Sequence, residues 1–218
     1  MAHSYDPAKT SLNQLKDRIK TTDLIPSRTP LQQNLNSAME TLAKHGITNV
    51  AELQQALKNT KSINELSSQT GLNTDYLTLL RREIEGYVPK TYPISSFDWL
   101  DPDVLKKLQN AGFTKSTLLY DALNTMQKRK ELGTTLQIDL STLENIYLLV
   151  NLTRIQWTSP LFARMLLAAG YDTPEKIADA NAERLCETLD IENKKNKFFK
   201  GKIGLRDIKR LIHGANYV

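Results

Sequence analysis

Apolar residues recur along this chain at three- and four-residue intervals, the spacing that gives a helix one apolar face, and period-two alternation never persists between turn signals. Leu12, Leu15 and Ile19 define a short helix over Thr10–Ile19. Thr21–Pro30 carries Pro26 and Pro30 and reads as an extended connector, because residues before proline avoid the helical region. Leu35, Ala38, Met39 and Leu42 stripe a helix over Leu31–Lys44, and Val50, Leu53 and Leu57 stripe the next. Helices follow near Ser62–Thr70 and from Asn73 to Glu85, with Tyr76, Leu77, Leu80 and Ile84 inward. Downstream the same reading gives Pro102–Ala111, Thr114–Leu123, Gln127–Thr135, Ser141–Ile155, Pro160–Ala169, Pro174–Ala180, Ala182–Leu189 and Leu205–His213. Ser141–Ile155, with Leu143, Ile146, Tyr147, Val150 and Ile155, is apolar enough to be the most buried helix. The pattern predicts an all-α fold.

The stops between helices repeat. Gly46 suits the position that closes a helix in the left-handed conformation, and Thr48 or Asn49 can cap the helix that follows. Thr70-Gly71-Leu72-Asn73 is a second stop-and-cap signal. The stretch Leu108–Leu123, built around Gly112, recurs 66 residues earlier at Leu42–Leu57 and, shortened, 58 residues later at Leu166–Ala180. At the first offset Leu42, Gly46, Thr48, Leu53, Ala56 and Leu57 match Leu108, Gly112, Thr114, Leu119, Ala122 and Leu123, and the correspondence runs without a gap over 43 residues. At the second, Trp99, Pro102, Leu108, Ala111 and Gly112 match Trp157, Pro160, Leu166, Ala169 and Gly170. The pattern predicts three degenerate repeats of helical hairpins. Residues 1–88 hold a loose polar end (Met1–Ala8), a helix and the first unit; 89–96, with Pro89 and Pro93, form a linker; 97–155 hold the second unit and 156–218 the third.

Trp-x-x-Pro followed by Leu-x-x-Ala-Gly-aromatic, in Trp99–Phe113 and Trp157–Tyr171, resembles the start of a helix-hairpin-helix unit of the SAM-like kind. Over nearly its full length, Ser11–Ile19 and Asp75–Arg82 included, the chain resembles an uncharacterised bacterial family of tandem units of this type, the domain of unknown function 4332. The resemblance implies a fold and no activity. Helix-hairpin-helix units typically bind DNA without reading its sequence, through a glycine turn that brings free N–H groups at a helix start close to a phosphate. Here the turns read Trp99-Leu100-Asp101-Pro102 and Trp157-Thr158-Ser159-Pro160, and the glycines are gone. Asp101 and Ser159 are good N-caps, and Pro102 and Pro160 suit the first helical position. Asp101 would fill the donors a phosphate needs and repel it; neutral Ser159 leaves its turn more open to an anion.

Charge sharpens this picture. The net charge is +5, and residues 194–213 carry eight basic side chains against Asp207 alone. Lys194, Lys195, Lys197, Lys200, Lys202, Arg206, Lys209 and Arg210, with Ser159, are therefore the candidate nucleic-acid contacts. Phe198 and Phe199 stand among them, either as stacking platforms for bases or as core residues beneath a merely solvated charged face. Gly201-Lys202-Ile203-Gly204 has the Gly-x-x-Gly form of the loop with which KH domains clamp a nucleic-acid backbone, but no sheet accompanies it. Trp99 and Trp157, in matching places, point to a shared packing role.

The remaining chemistry is sparse. Cys186, the only cysteine, excludes an internal disulfide, and it reads as a small core residue. His3, His45 and His213 have no metal-ligand spacing, and no paired carboxylates, nucleophile motif or glycine-rich phosphate loop is present. No apolar run approaches the roughly 18 residues of a membrane span. The expectation is a cytoplasmic, non-catalytic binding protein without cofactor, metal or membrane contact. Its partner is a DNA or RNA backbone or, in the alternative, another protein docked on a helical scaffold.

Overall fold

The computed structural model describes residues 5–218; Met1–Ser4, with His3 among them, lie outside it. Among the described residues it is helical throughout, with fourteen α-helices, two 3₁₀ turns and no strand. No helix in it is long and apolar enough to cross a membrane. The chain divides into two compact units, Tyr5–Val88 and Pro89–Val218.

The first unit contains α1 (Leu12–Thr21), α2 (Pro30–Gln33), α3 (Leu35–Lys44), α4 (Val50–Ala56), α5 (Thr60–Thr70) and α6 (Thr74–Glu85). Ser11 and Gln14 form a reciprocal capping box that fixes the start of α1. Asn49, Asn59 and Asn73 cap α4, α5 and α6 by accepting the N–H groups their first turns leave open. Gln32 donates to the Ile19 and Thr22 carbonyls and so occupies acceptors at the end of α1.

Two expectations change here. The helix over Leu31–Lys44 breaks at Asn34, whose φ of −119° and ψ of 21° leave the helical region, so α2 and α3 are separate. The connector before it holds a 3₁₀ turn at Pro26–Arg28. The chain start is also less loose than its polarity suggested. Tyr5 is buried edge-on against Tyr87 with ring centroids 6.3 Å apart, and the buried Arg18 guanidinium lies 3.9 Å from the Tyr87 ring centre and 5.1 Å from that of Tyr5. An aromatic pair flanking a cation combines area burial with cation–π attraction. Burial pushes the Tyr5 hydroxyl up to about 12.

The second unit contains α7 (Pro102–Asn110), α8 (Ser116–Leu123), α9 (Met126–Leu136), α10 (Leu140–Leu152), α11 (Pro160–Ala168), α12 (Pro174–Ala178), α13 (Ala182–Asn196) and α14 (Leu205–Ala215). α10 is the central element. It packs on α8, α9 and α11 and buries Leu143, Ile146, Leu149, Val150, Asn151 and Leu152. α14 lies on α12 and α13. Residues 97–155 and 156–218 thus share one core, which runs from Phe97 and Leu108 through Leu166 and Leu185 to Leu211. Residues 89–96, expected to be a linker, fold into this unit: Ile94 is buried at the start of a 3₁₀ turn, and Tyr92 and Ile94 make backbone bonds to Ser116 and Thr114.

Three helix ends are built alike. Gly46, Gly112 and Gly170 have φ of +83°, +87° and +82°. In each case the next residue donates its N–H to the carbonyl five positions back: Ile47 to Leu42, Phe113 to Leu108 and Tyr171 to Leu166, at 3.2, 3.0 and 2.9 Å. These are Schellman-type stops. A Cβ at any of the three glycines would meet nothing within 4 Å, so the left-handed backbone, not lack of room, selects the residue. Two of the stops share a further contact. Leu12 donates to the Thr48 carbonyl and Val50 to that of Thr10; likewise Ile94 donates to Thr114 and Ser116 to Tyr92.

Candidate nucleic-acid interface

The candidate residues lie on α13, α14 and the loop between them. Ala182–Leu189 was expected to be the whole of α13, yet the helix runs on to Asn196 and stops at Lys197 in the left-handed conformation, φ 54°. Its buried face continues from Leu185 and Leu189 to Asn193. Asn193 then fastens the loop. Its side-chain oxygen accepts the Phe199 N–H at 2.7 Å, and its amide nitrogen donates to the Phe199 and Gly201 carbonyls, each at 3.2 Å. The Cys186 thiol donates to the Ile203 carbonyl at 3.5 Å. Gly201–Gly204 is accordingly a span tied down at both ends that leads into α14, where Gly204 occupies the cap position without a side chain to close it.

The lysines fall into two groups. Lys194 pairs with Asp190 at 2.6 Å, Lys195 with Glu192 at 4.0 Å and Lys209 with Glu183 at 3.8 Å. The hydrogen bond and charge of Lys194 hold the Asp190 carboxyl below its ordinary range. These acidic partners precede residue 194 on the same helix, so the local excess is smaller than the count over 194–213 implied: residues 182–215 carry nine basic and five acidic side chains. Lys197, Lys200 and Lys202 are different. All three are exposed on or beside the Asn193-anchored loop, with Arg206, also exposed, in the first turn of α14. Phe198 and Phe199 are half-buried against the core. Phe199 meets Phe162 edge-on at 6.1 Å, and the Arg164 guanidinium lies 5.7 Å from the Phe198 ring centre.

The turns before α7 and α11 are capped from within. Asp101 accepts the N–H groups of Asp103 and Val104, and Ser159, itself half-buried, accepts that of Phe162 at 3.2 Å. Asp101 thereby takes the open donors of its turn, whereas Ser159 takes the Phe162 N–H and Pro160 has none to give. The two tryptophans that precede these caps do not share one role. Trp99 is half-buried beside Phe97, ring centroids 5.7 Å apart. Trp157 is 41% exposed and adopts φ +64°. It is the third residue of a turn closed by the Thr158 N–H on the Ile155 carbonyl, at 3.0 Å, a place that favours glycine because φ is positive there. Sequence reasoning assigned Trp157 to packing, and its only early signal was the neighbouring Ser159 turn. The structure brings that turn to α14: Gln156, Trp157, Phe162, Asp207, Arg210 and Leu211 line a cavity of about 260 Å³, and the Arg210 guanidinium stacks 3.8 Å from the Trp157 ring centre.

Among the described residues no group of three His, Cys, Asp or Glu side chains is placed to hold a metal ion. What the fold and surface define is an all-helical protein whose C-terminal hairpin exposes a lysine-rich loop beside an aromatic cavity. The chain belongs to the family described as Domain of unknown function (DUF4332), whose model matches residues 100–217, within the second unit. No curated protein and no solved structure matches the chain.

Proposed function

We propose that this protein is a non-catalytic, tandem helix-hairpin-helix-like binder of nucleic acid that contacts the phosphate backbone through its C-terminal hairpin without reading sequence. The unit assignment draws support from the three glycine stops with one hydrogen-bond pattern. The binding assignment rests on a single observation: Lys197, Lys200 and Lys202 stand exposed on a loop whose backbone Asn193 fixes, so several cations are presented without the entropy of ordering a free arm. Lys194, Lys195, Lys209, Arg206 and Arg210 flank them on the adjoining helices.

The test is binding of a labelled oligonucleotide over a salt series. Four phosphate contacts imply a log–log slope of about −3.6 on duplex DNA and about −2.8 on a single strand, so a fourfold rise in salt weakens binding roughly 50- to 150-fold. Replacing Lys194, Lys195, Lys197 and Lys200 with glutamate abolishes it. Binding that ignores both salt and the replacements refutes the proposal. One observation favours the rival reading, a helical scaffold that docks another protein: Asp101 takes two, and Ser159 one, of the turn donors that helix-hairpin-helix units offer to phosphate.

A further inference from the structure

A tryptophan is poorly suited to the position Trp157 holds. Positive φ is uncommon outside glycine, and for a bulky side chain it persists only when the surroundings over-determine it. Burial holds the ring there only in part, because it is 41% exposed. The backbone on either side is fixed: Gln156 and Thr158 are buried, and Thr158 donates to Ile155. The strained turn therefore displays an indole at the surface, directly under the Arg210 guanidinium.

The cavity this creates has a definite chemistry. Its lining combines the stacked Trp157 and Arg210 with apolar Phe162 and Leu211 and with a carboxylate and an amide from Asp207 and Gln156. Asp207 argues against a phosphate as occupant, since a carboxylate repels an anion and the protein places its uncommitted lysines on the loop instead. A flat, neutral ring with edge donors and acceptors suits every wall. Bases in unpaired strands stack on aromatic rings and on guanidinium planes and are read at their edges by such polar groups. The volume, about 260 Å³, falls just below the roughly 300–1,000 Å³ typical of small-molecule pockets, which fits one ring system held at the end of a longer ligand.

We infer that the Trp157–Arg210 cavity receives an unpaired nucleobase, so that the strand held by the basic hairpin is single-stranded. This rests on the nucleic-acid reading above and adds the strand form to it. Stacking of one base contributes on the order of 10-fold to affinity, a contribution that a base paired inside a duplex cannot make.

The experiment compares an oligothymidylate with a blunt duplex of matched length on the full chain at low salt. Indole quenching is followed in a Trp99→Phe background so that Trp157 alone reports. The wild type binds the single strand more tightly and its indole is quenched. Trp157→Ala loses about 10-fold for the single strand and nothing for the duplex, and Trp157→Phe recovers most of the loss. Trp157→Gly suits the positive φ and separates folding from binding: it keeps the helical signal and loses the same affinity. If both forms bind but no Trp157 replacement alters either affinity, the cavity inference is overturned and the backbone-binding proposal stands. If neither form binds at low salt, both fall together.

Discussion

Asn193→Ala tests whether the basic loop is held by one side chain. Asn193 is 9% exposed and makes three hydrogen bonds, one accepting the Phe199 N–H and two donating to the Phe199 and Gly201 carbonyls. Truncation leaves a part-buried N–H without its acceptor, and an unsatisfied group of this kind costs about 1–3 kcal/mol. The carbonyls suffer less, because each has a second lone pair and the loop lies at the surface. A cost of about 2 kcal/mol follows. The assay is urea denaturation of the full chain read by tryptophan fluorescence, since Trp99 and Trp157 both belong to the Pro89–Val218 unit. The midpoint falls while the slope with denaturant stays constant, because the surface exposed on unfolding is unchanged. Tryptic cleavage at Lys197, Lys200 and Lys202 supplies a local readout. If loop opening precedes cutting, about 2 kcal/mol speeds it roughly 30-fold. A loss below about 0.5 kcal/mol with unchanged cleavage refutes the anchoring argument, because surface substitutions commonly fall in that range.

Two further outcomes follow from the stops and caps. Gly112→Ala costs about 1–2 kcal/mol on the same fluorescence-monitored curve, because the left-handed backbone is retained and the added Cβ meets nothing; a larger loss signals a steric neighbour that the structure does not contain. Asp139 caps α10, and hydrogen bonds first from Ser141 and then from Thr142 hold its carboxyl down at about 2. A folded-state pKa below the unfolded value of roughly 3.9 adds stability that is present above that value and is lost as pH falls toward 2. Asp139→Asn keeps one capping oxygen but cannot accept the Thr142 hydroxyl at the second position, so it flattens this acid limb of a thermal-melt series and lowers neutral-pH stability toward the acid value.

Helix positions and stops were legible because they depend on local chemistry: period, a capping Asn, Ser or Asp, and a glycine where φ must be positive. Three features were not legible, each for a physical reason. The last two turns of α13 are not legible because its buried stripe passes from Leu185 and Leu189 to Asn193, a polar residue whose burial is compensated only by a loop six to eight positions ahead. The run of like charge overstates the basic excess because ion pairs at three- and four-residue spacing couple Lys194 and Lys195 to Asp190 and Glu192, which lie outside it. Tyr5 and Arg18 are far apart in the pattern, and their joint burial with Tyr87 is a tertiary fact that no periodicity encodes. The cavity belongs to this last kind, since α11's turn and α14 come together only on folding.

The third glycine stop differs from the other two in a way that bears on that cavity. Four residues after Gly46 and Gly112 stand Val50 and Ser116, whose N–H groups pin the segment leading into each unit. Four residues after Gly170 stands Pro174, which has no N–H to give. The positions that would match Tyr92 and Ile94 are Val150 and Leu152, and they belong to α10 rather than to an extended segment. The chain must therefore reverse directly from α10 into α11, and it does so in the Ile155–Thr158 turn. A tight reversal with positive φ at its third residue ordinarily recruits glycine. Keeping tryptophan there costs strain on the order of 1–3 kcal/mol, offset only in part by the Arg210 stack at about 1 kcal/mol. Packing adds to that offset, because a ring 41% exposed still keeps more than half of its area from water, a contribution of about 2–3 kcal/mol. Strain and packing are then of similar size, so the stability of the fold does not by itself select tryptophan over glycine here, and binding at the cavity is the contribution that would. Trp157→Gly should then lower the affinity for a single strand while shifting the stability of the free protein by no more than about 1 kcal/mol, and an affinity that does not change would return Trp157 to a purely structural role.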